Sequence, residues 1–142
     1  MTSGTKRRAA AAFAQSTLFF TLLASTATVA APLLRCQVAY AGTTHTIEAS
    51  PVDDPYPVPS VDIGGRFRFK AVMVGNTARV NRILIYAYLD TKRQPILVQQ
   101  AKYLPPYTAS ETPYPLTGEQ HLYAGVVERE LIYSCTLQGI QP

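Results

Sequence analysis

Two side chains in the sequence are able to exchange a proton near neutral pH, His45 and His121. A hydrolytic triad would add a nucleophile and an orienting acid within hydrogen-bond reach. Ser50, Ser60, Ser110 and Ser134, with Asp53, Asp54, Asp62 and Asp90, supply the residue types. None of the serines stands in a G-x-S-x-G elbow or another activating context. Both histidines fall in strand-like segments beside turns, where solvent exposure accounts for them without chemistry. A metal site fares no better, since zinc takes three or four His, Cys or carboxylate ligands at short spacings. Glu119 with His121 is half of such a site, and Asp53-Asp54 runs into Pro55 where a calcium loop would continue its alternation. No metal and no cofactor is expected.

The remaining reactive pair is Cys36 and Cys135, the only cysteines in 142 residues. Their use depends on compartment, and the N-terminus addresses that. Lys6-Arg7-Arg8 precedes a charge-free stretch whose apolar heart is Leu18 to Ala24, followed by small residues through Ala30. A basic start, a short apolar middle and a small-residue end make a secretory signal peptide. Cleavage is expected near Ala30, leaving 31–142 as a single β domain in the periplasm or outside the cell. A retained anchor is the competing reading. Its dense apolar part is only about a third of the roughly 20 residues a bilayer requires, and Gln15, Ser16 and Thr17 interrupt the run. In an oxidising compartment the two cysteines are expected to form one disulfide. Closing a loop of about 100 residues is worth on the order of 4–5 kcal/mol in the chain-entropy model.

Export also alters the charge argument. The chain carries a formal +4, but Lys6, Arg7 and Arg8 belong to the leader; ten basic and nine acidic residues remain from Ala31 onward, a net +1. That balance gives no reason to expect nucleic acid as a partner.

Binding is the chemistry left, and two groups of residues suit it. Tyr56, Tyr107 and Tyr114 sit in proline-rich stretches, Ser50 to Pro59 and Leu104 to Leu116, that favour a stiff polyproline II backbone. A stiff backbone lowers the entropy lost on binding while tyrosine offers broad amphipathic contact. The alternative is packing: Tyr beside Pro can simply close the open ends of a β structure. Arg66, Arg68 and Lys70 form a basic row suited to a polysaccharide or an acidic protein, or else a solvated face paired across strands with Glu128 and Glu130.

The elements that must position these residues read as strands. Arg35 to Tyr40 alternates, Ala41-Gly42-Thr43 offers a turn, and Thr44 to Ala49 returns. Phe67, Phe69, Ala71 and Met73 share one face of a run bounded by Gly64-Gly65 and Gly75-Asn76. Ile83 to Leu89 is apolar on both faces save for the phenols of Tyr86 and Tyr88, as in a central strand. Another strand is expected to begin at Pro95. Gln120–Tyr123 and Val127–Leu137 make one bent strand or two, with a bulge at Ala124-Gly125. The expectation is all-β: an antiparallel β-sandwich or small partly open barrel of six to seven strands, closed by one disulfide.

Tyr133-Ser134-Cys135 matches the Y-x-C of immunoglobulin domains, but the chain has no Trp and only seven residues after Cys135. The mature part instead resembles a group of small, uncharacterised exported proteobacterial proteins. Cys36-Gln37-Val38, Val61 to Ala71 and Arg129 to Cys135 carry the resemblance. It implies a periplasmic or secreted location and brings no activity with it. The sequence thus predicts an exported, non-catalytic domain with a binding or structural role, for instance an inhibitor- or immunity-type partner of another envelope protein. A small envelope hydrolase using His121 or His45 is the alternative.

Overall fold

A computed structural model describes residues 30–141, with Met1, Thr2 and Gly4; apart from these few, the leader expected at 1–30 lies outside the described residues. The strands are β1 (Leu33–Tyr40), β2 (Thr43–Ala49), β3 (Pro51–Val52), β4 (Val61–Ile63), β5 (Phe67–Gly75), β6 (Val80–Leu89), β7 (Ile96–Tyr103), β8 (Tyr114–Pro115), β9 (Gln120–Ala124) and β10 (Arg129–Gln138). They form two sheets, one in the order β2-β1-β10-β8 with β9 also on β10, the other β3-β5-β6-β7 with β4 also on β5. Every pairing is antiparallel except β3 with β5. No helix among the described residues is long and apolar enough to cross a membrane.

The turns follow their residues. Ala41 and Gly42, at φ 49° and 80°, give the β1–β2 hairpin the two left-handed positions of a tight two-residue turn. Between β9 and β10, where a bulge was expected at Ala124-Gly125, the chain makes a four-residue turn over Gly125–Glu128. Its closing bond runs from Glu128 N–H to Gly125 O at 3.1 Å. The bulges fall elsewhere, at Val74/Gly75 and Ala87/Tyr88. The two proline-rich stretches were expected to favour a polyproline II backbone, yet each contributes a two-residue strand, β3 and β8. Proline is compatible with an edge, where its missing N–H is not called on. The strand expected to begin at Pro95 starts one residue later, at Ile96.

Alternation puts one face of each sheet into a shared core. Leu34, Cys36 and Val38 of β1 and Leu131, Tyr133, Cys135 and Leu137 of β10 cluster with Phe67, Phe69, Ala71 and Met73 of β5 and Ile83, Ile85 and Ala87 of β6. Phe69 meets Tyr133 edge-on across the two sheets, ring centroids 5.1 Å apart. Burial of one such large apolar side chain is worth about 1.5–3 kcal/mol. The Tyr133 hydroxyl donates to Gln99 Oε1 at 2.7 Å, which satisfies the one polar group the ring brings inside. Burial, with Tyr103 adding to it, pushes that phenol up to about 12.

The disulfide Cys36–Cys135 joins directly opposed residues of β1 and β10, with Cα atoms 4.0 Å apart. The Cys135 backbone is also held from the other side: its N–H donates to Thr117 Oγ1 at 2.9 Å, and its carbonyl accepts from Leu116 and Thr117 N–H. The bond thus locks together the first and last strands and the loop that runs past them.

Candidate binding surface

The outward face of the β3-β5-β6-β7 sheet gathers much of the chemistry. Residues alternating with the core positions of β5 are Arg68, Lys70, Val72 and Val74; those of β6 are Arg82, Leu84, Tyr86 and Tyr88. Register places Arg68 opposite Tyr88, Lys70 opposite Tyr86 and Arg82 opposite Val74. On the other side Lys102 of β7 stands opposite Leu84, and Gln100 opposite Tyr86. Val72, Val74 and Leu84 form a second apolar cluster, covered by Val52 and Val58 from the proline-rich 51–60 segment. That segment is fastened to the basic row: Lys70 Nζ donates to Pro55 O at 3.1 Å, and Arg68 Nε to Ser60 Oγ at 2.8 Å.

The fastening leaves Tyr56 standing on the surface, 90% exposed. Pro55, Tyr56, Lys70, Arg82 and Tyr86 line a shallow groove of about 160 Å³ floored by Val72 and Leu84. Tyr86 and Tyr88 stack nearly parallel, centroids 6.2 Å apart, and burial followed by the neighbouring Tyr86 raises the Tyr88 phenol. Arg68 has an acidic neighbour, Asp90 at 3.7 Å. Among the described residues no carboxylate lies within 4.0 Å of Lys70, Arg82 or Lys102. The face therefore presents aromatic planes and cations held on a rigid sheet.

Of the residues singled out in the sequence, the structure joins Tyr56 to Arg68 and Lys70 and puts the others elsewhere. Arg66 stands in the β4–β5 turn and lines a separate depression with Leu89, Asp90 and Arg129. Tyr107 and Tyr114 share a cavity of about 210 Å³ with Tyr103, Leu104, Pro106 and Leu116. Both rings pack against the main core. The Tyr107 hydroxyl donates to Tyr103 O at 2.8 Å, and burial raises its phenol. The Tyr114 hydroxyl is buried without a partner. Glu128 and Glu130 do not face the basic row, because β5 and β10 belong to different sheets. Arg82, Tyr86, Tyr88 and Lys102 complete the face and were not singled out. The i, i+2 spacing of Tyr86 and Tyr88 in β6, in phase with Arg82, was the available signal, hidden because the two tyrosines read as exceptions in an apolar strand.

The histidines lie on the other sheet. His45, half-buried, is on β2 opposite Val38. His121 on β9 is 2.6 Å from Glu130 Oε1 through Nδ1 and 3.0 Å from Glu119 Oε1 through Nε2. Tyr123 donates its hydroxyl to the same Glu130 oxygen at 2.7 Å. Carboxylates on both ring nitrogens suit the imidazolium, which donates from both. Hydrogen bonds to Glu130 and then Glu119 raise the His121 pKa, while His121 and then Tyr123 lower that of Glu130. Among the described residues neither ring nitrogen of His121 meets a serine hydroxyl.

No protein-family model, no curated protein and no solved structure matches the chain.

Proposed function

We propose that the chain is an exported, non-catalytic binding domain whose recognition surface is the Tyr- and Lys/Arg-bearing outer face of the β3-β5-β6-β7 sheet. In this reading the leader is removed near Ala30, residues 31–142 fold as one domain in the periplasm or outside the cell, and the two sheets pack as a β-sandwich. The disulfide and the core shared by both sheets support that frame. The ligand is an acidic polysaccharide of the envelope. Open, shallow faces suit extended polymers, tyrosine planes cover sugar rings, and cations meet carboxylate or sulfate groups. The observation that carries the proposal is the convergence of Tyr56, Tyr86 and Tyr88 with Lys70, Arg82 and Lys102 on one face.

The test is affinity electrophoresis and calorimetry against a polyuronate and a neutral glucan of similar length. Binding to the polyuronate is expected, with an affinity that falls as salt screens the contacts. Lys70→Gln combined with Arg82→Gln should weaken it at least tenfold. Equal retardation by both polymers, or none by either, overturns the reading. Capture of an acidic envelope protein through the same face, with no polysaccharide binding, would replace it by an inhibitor- or immunity-type role.

A further inference from the structure

Four hairpin turns meet at one end of the molecule. The Tyr40 side chain, beside the β1–β2 turn, lies against Gly64 of the β4–β5 turn and edge-on to Phe67 at 5.3 Å. Asp90, entering the β6–β7 connection, donates its N–H to Arg66 O at 2.8 Å. Gly125 of the β9–β10 turn sits beside Leu89. Pro32 and Gln141 are at the opposite end, where they border a depression with Arg79 and Pro106.

The turn-bearing end exposes several large apolar side chains. Val126 is 103% exposed, Val127 64%, Tyr123 61%, Ile96 52% and Leu97 49%. Around them stand Arg66, Lys92, Arg93 and Arg129, none with a carboxylate within 4.0 Å among the described residues. Of the nearby acids, Asp62 accepts the Gly65 N–H at 2.9 Å and Asp90 is beside Arg68. Glu128, in the turn itself, and Glu130, whose Oε1 is bonded by the Tyr123 hydroxyl and by His121, are the remaining negative charges. Arg66 and Arg129 share a depression of about 330 Å³ with Asp90, Leu89 and the two valines.

We propose that this end docks on an anionic lipid surface. Val126 and Val127 project from a hairpin tip, a convex shape that a soft bilayer interface accommodates and that a protein partner would have to match with a preformed pocket. Apolar tips entering the boundary between headgroups and acyl chains, a tyrosine at headgroup level and flanking cations on lipid phosphates form a two-signal interfacial contact. The contact is peripheral and reversible. It is separate from the sheet face and stands whether or not that face binds a polysaccharide.

Flotation with vesicles tests it, using protein purified from the envelope of producing cells. One vesicle set is phosphatidylcholine alone and the other contains phosphatidylglycerol at one part in three. Wild-type protein should partition at least tenfold better into the anionic vesicles and lose that preference at high salt. Val126→Asp with Val127→Asp should lower anionic-vesicle binding about tenfold or more with unchanged thermal unfolding, since both positions are exposed. Lys92→Gln with Arg93→Gln should weaken binding and flatten its salt dependence. Equal partitioning into both vesicle types, or a double-aspartate variant that floats like wild type, overturns the proposal. Concentration-dependent dimerisation abolished by the same variant, without vesicle binding, also overturns it, in favour of a second copy as the occupant.

Discussion

Pro-Tyr-Pro occurs twice in this chain, and the two copies meet opposite fates. Each lies in a segment that lays a two-residue strand and then a short strand on one long strand: β3 and β4 on β5, β8 and β9 on β10. In the first segment the motif falls between β3 and β4, and Tyr56 stands 90% exposed above the sheet. In the second, Tyr114 begins β8 and pairs with Leu137, a core residue, so its side chain takes the core side of the sheet. The local sequence sets backbone stiffness in both places. Strand register turns the Tyr114 ring into the packing, while Tyr56, in no strand, is left on the surface. Tyr107 confirms the character of the second segment, its hydroxyl tied back to the carbonyl of Tyr103 where the chain crosses from one sheet to the other.

The most severe way to break this contrast is to remove the frame that both segments share. Cys36→Ala with Cys135→Ala opens a link across a sequence separation of 99 residues. It is expected to lower stability by about 2–5 kcal/mol, measured by urea unfolding. Most of a typical 5–15 kcal/mol total would survive only in a protein at the upper end of that range. The 104–117 loop should loosen before the 51–60 segment, because Leu116 and Thr117 bond the Cys135 backbone directly while Pro55 and Ser60 are held from β5. NMR of the Thr117 amide, bonded to Cys135 O, and of the Val58 methyls, packed on the Val72, Val74 and Leu84 cluster, would report the order along a urea titration; earlier loosening at Val58 would contradict it.

Single substitutions sharpen the comparison. Tyr107→Ala or Tyr114→Ala should cost about 2–3 kcal/mol each, less than a fully buried aromatic because both rings are half-buried. Tyr56→Ala should change stability by less than about 0.5 kcal/mol and act on polysaccharide binding instead. The hydroxyls refine this further. Tyr107→Phe loses a hydrogen bond worth about 1 kcal/mol. Tyr114→Phe removes a buried hydroxyl that has no partner and should be neutral or stabilising. Equal losses in the two phenylalanine variants, by urea unfolding, would mean that the hydroxyls do not distinguish the sites.

The same contrast shows what was legible beforehand. The alternations of Cys36/Val38, Phe67/Phe69/Ala71/Met73 and Leu131/Tyr133/Cys135/Leu137 are period-two signals on half-buried strands, and they located the core, while the disulfide followed from a lone pair of cysteines in an expected oxidising compartment. Which sheet each strand joins is a long-range choice with no local signal. Arg68 and Lys70 were therefore set against Glu128 and Glu130, when their neighbours are Asp90, Ser60 and Pro55. For the same reason Tyr56, Tyr107 and Tyr114 looked equivalent, while Arg82, Tyr86, Tyr88 and Lys102 became a surface only once β5, β6 and β7 were placed side by side.

His121 offers an outside reference for the comparison: exposed, as Tyr56 is, yet hydrogen-bonded, as Tyr107 is. Its pKa is raised above the usual 6.5 by Glu130 and then Glu119, so the stabilisation it gives is fully present below pH 6.5 and is lost as pH rises through the higher folded value. The Glu130 pKa is lowered from 4.5 by His121 and then Tyr123, so its share is present above pH 4.5 and is lost as pH falls through the lower folded value. Both contributions are complete between about pH 4.5 and 6.5, where imidazolium and carboxylate coexist in folded and unfolded chain alike. Solvent screening keeps the effect on unfolding small. The sensitive readout is NMR titration of the His121 ring, expected above 6.5 in the wild type and lower in Glu130→Gln, with Tyr123→Phe moving Glu130 upward. A wild-type His121 titrating at or below 6.5 would show that hydrogen bonding without burial leaves an exposed side chain as free as Tyr56.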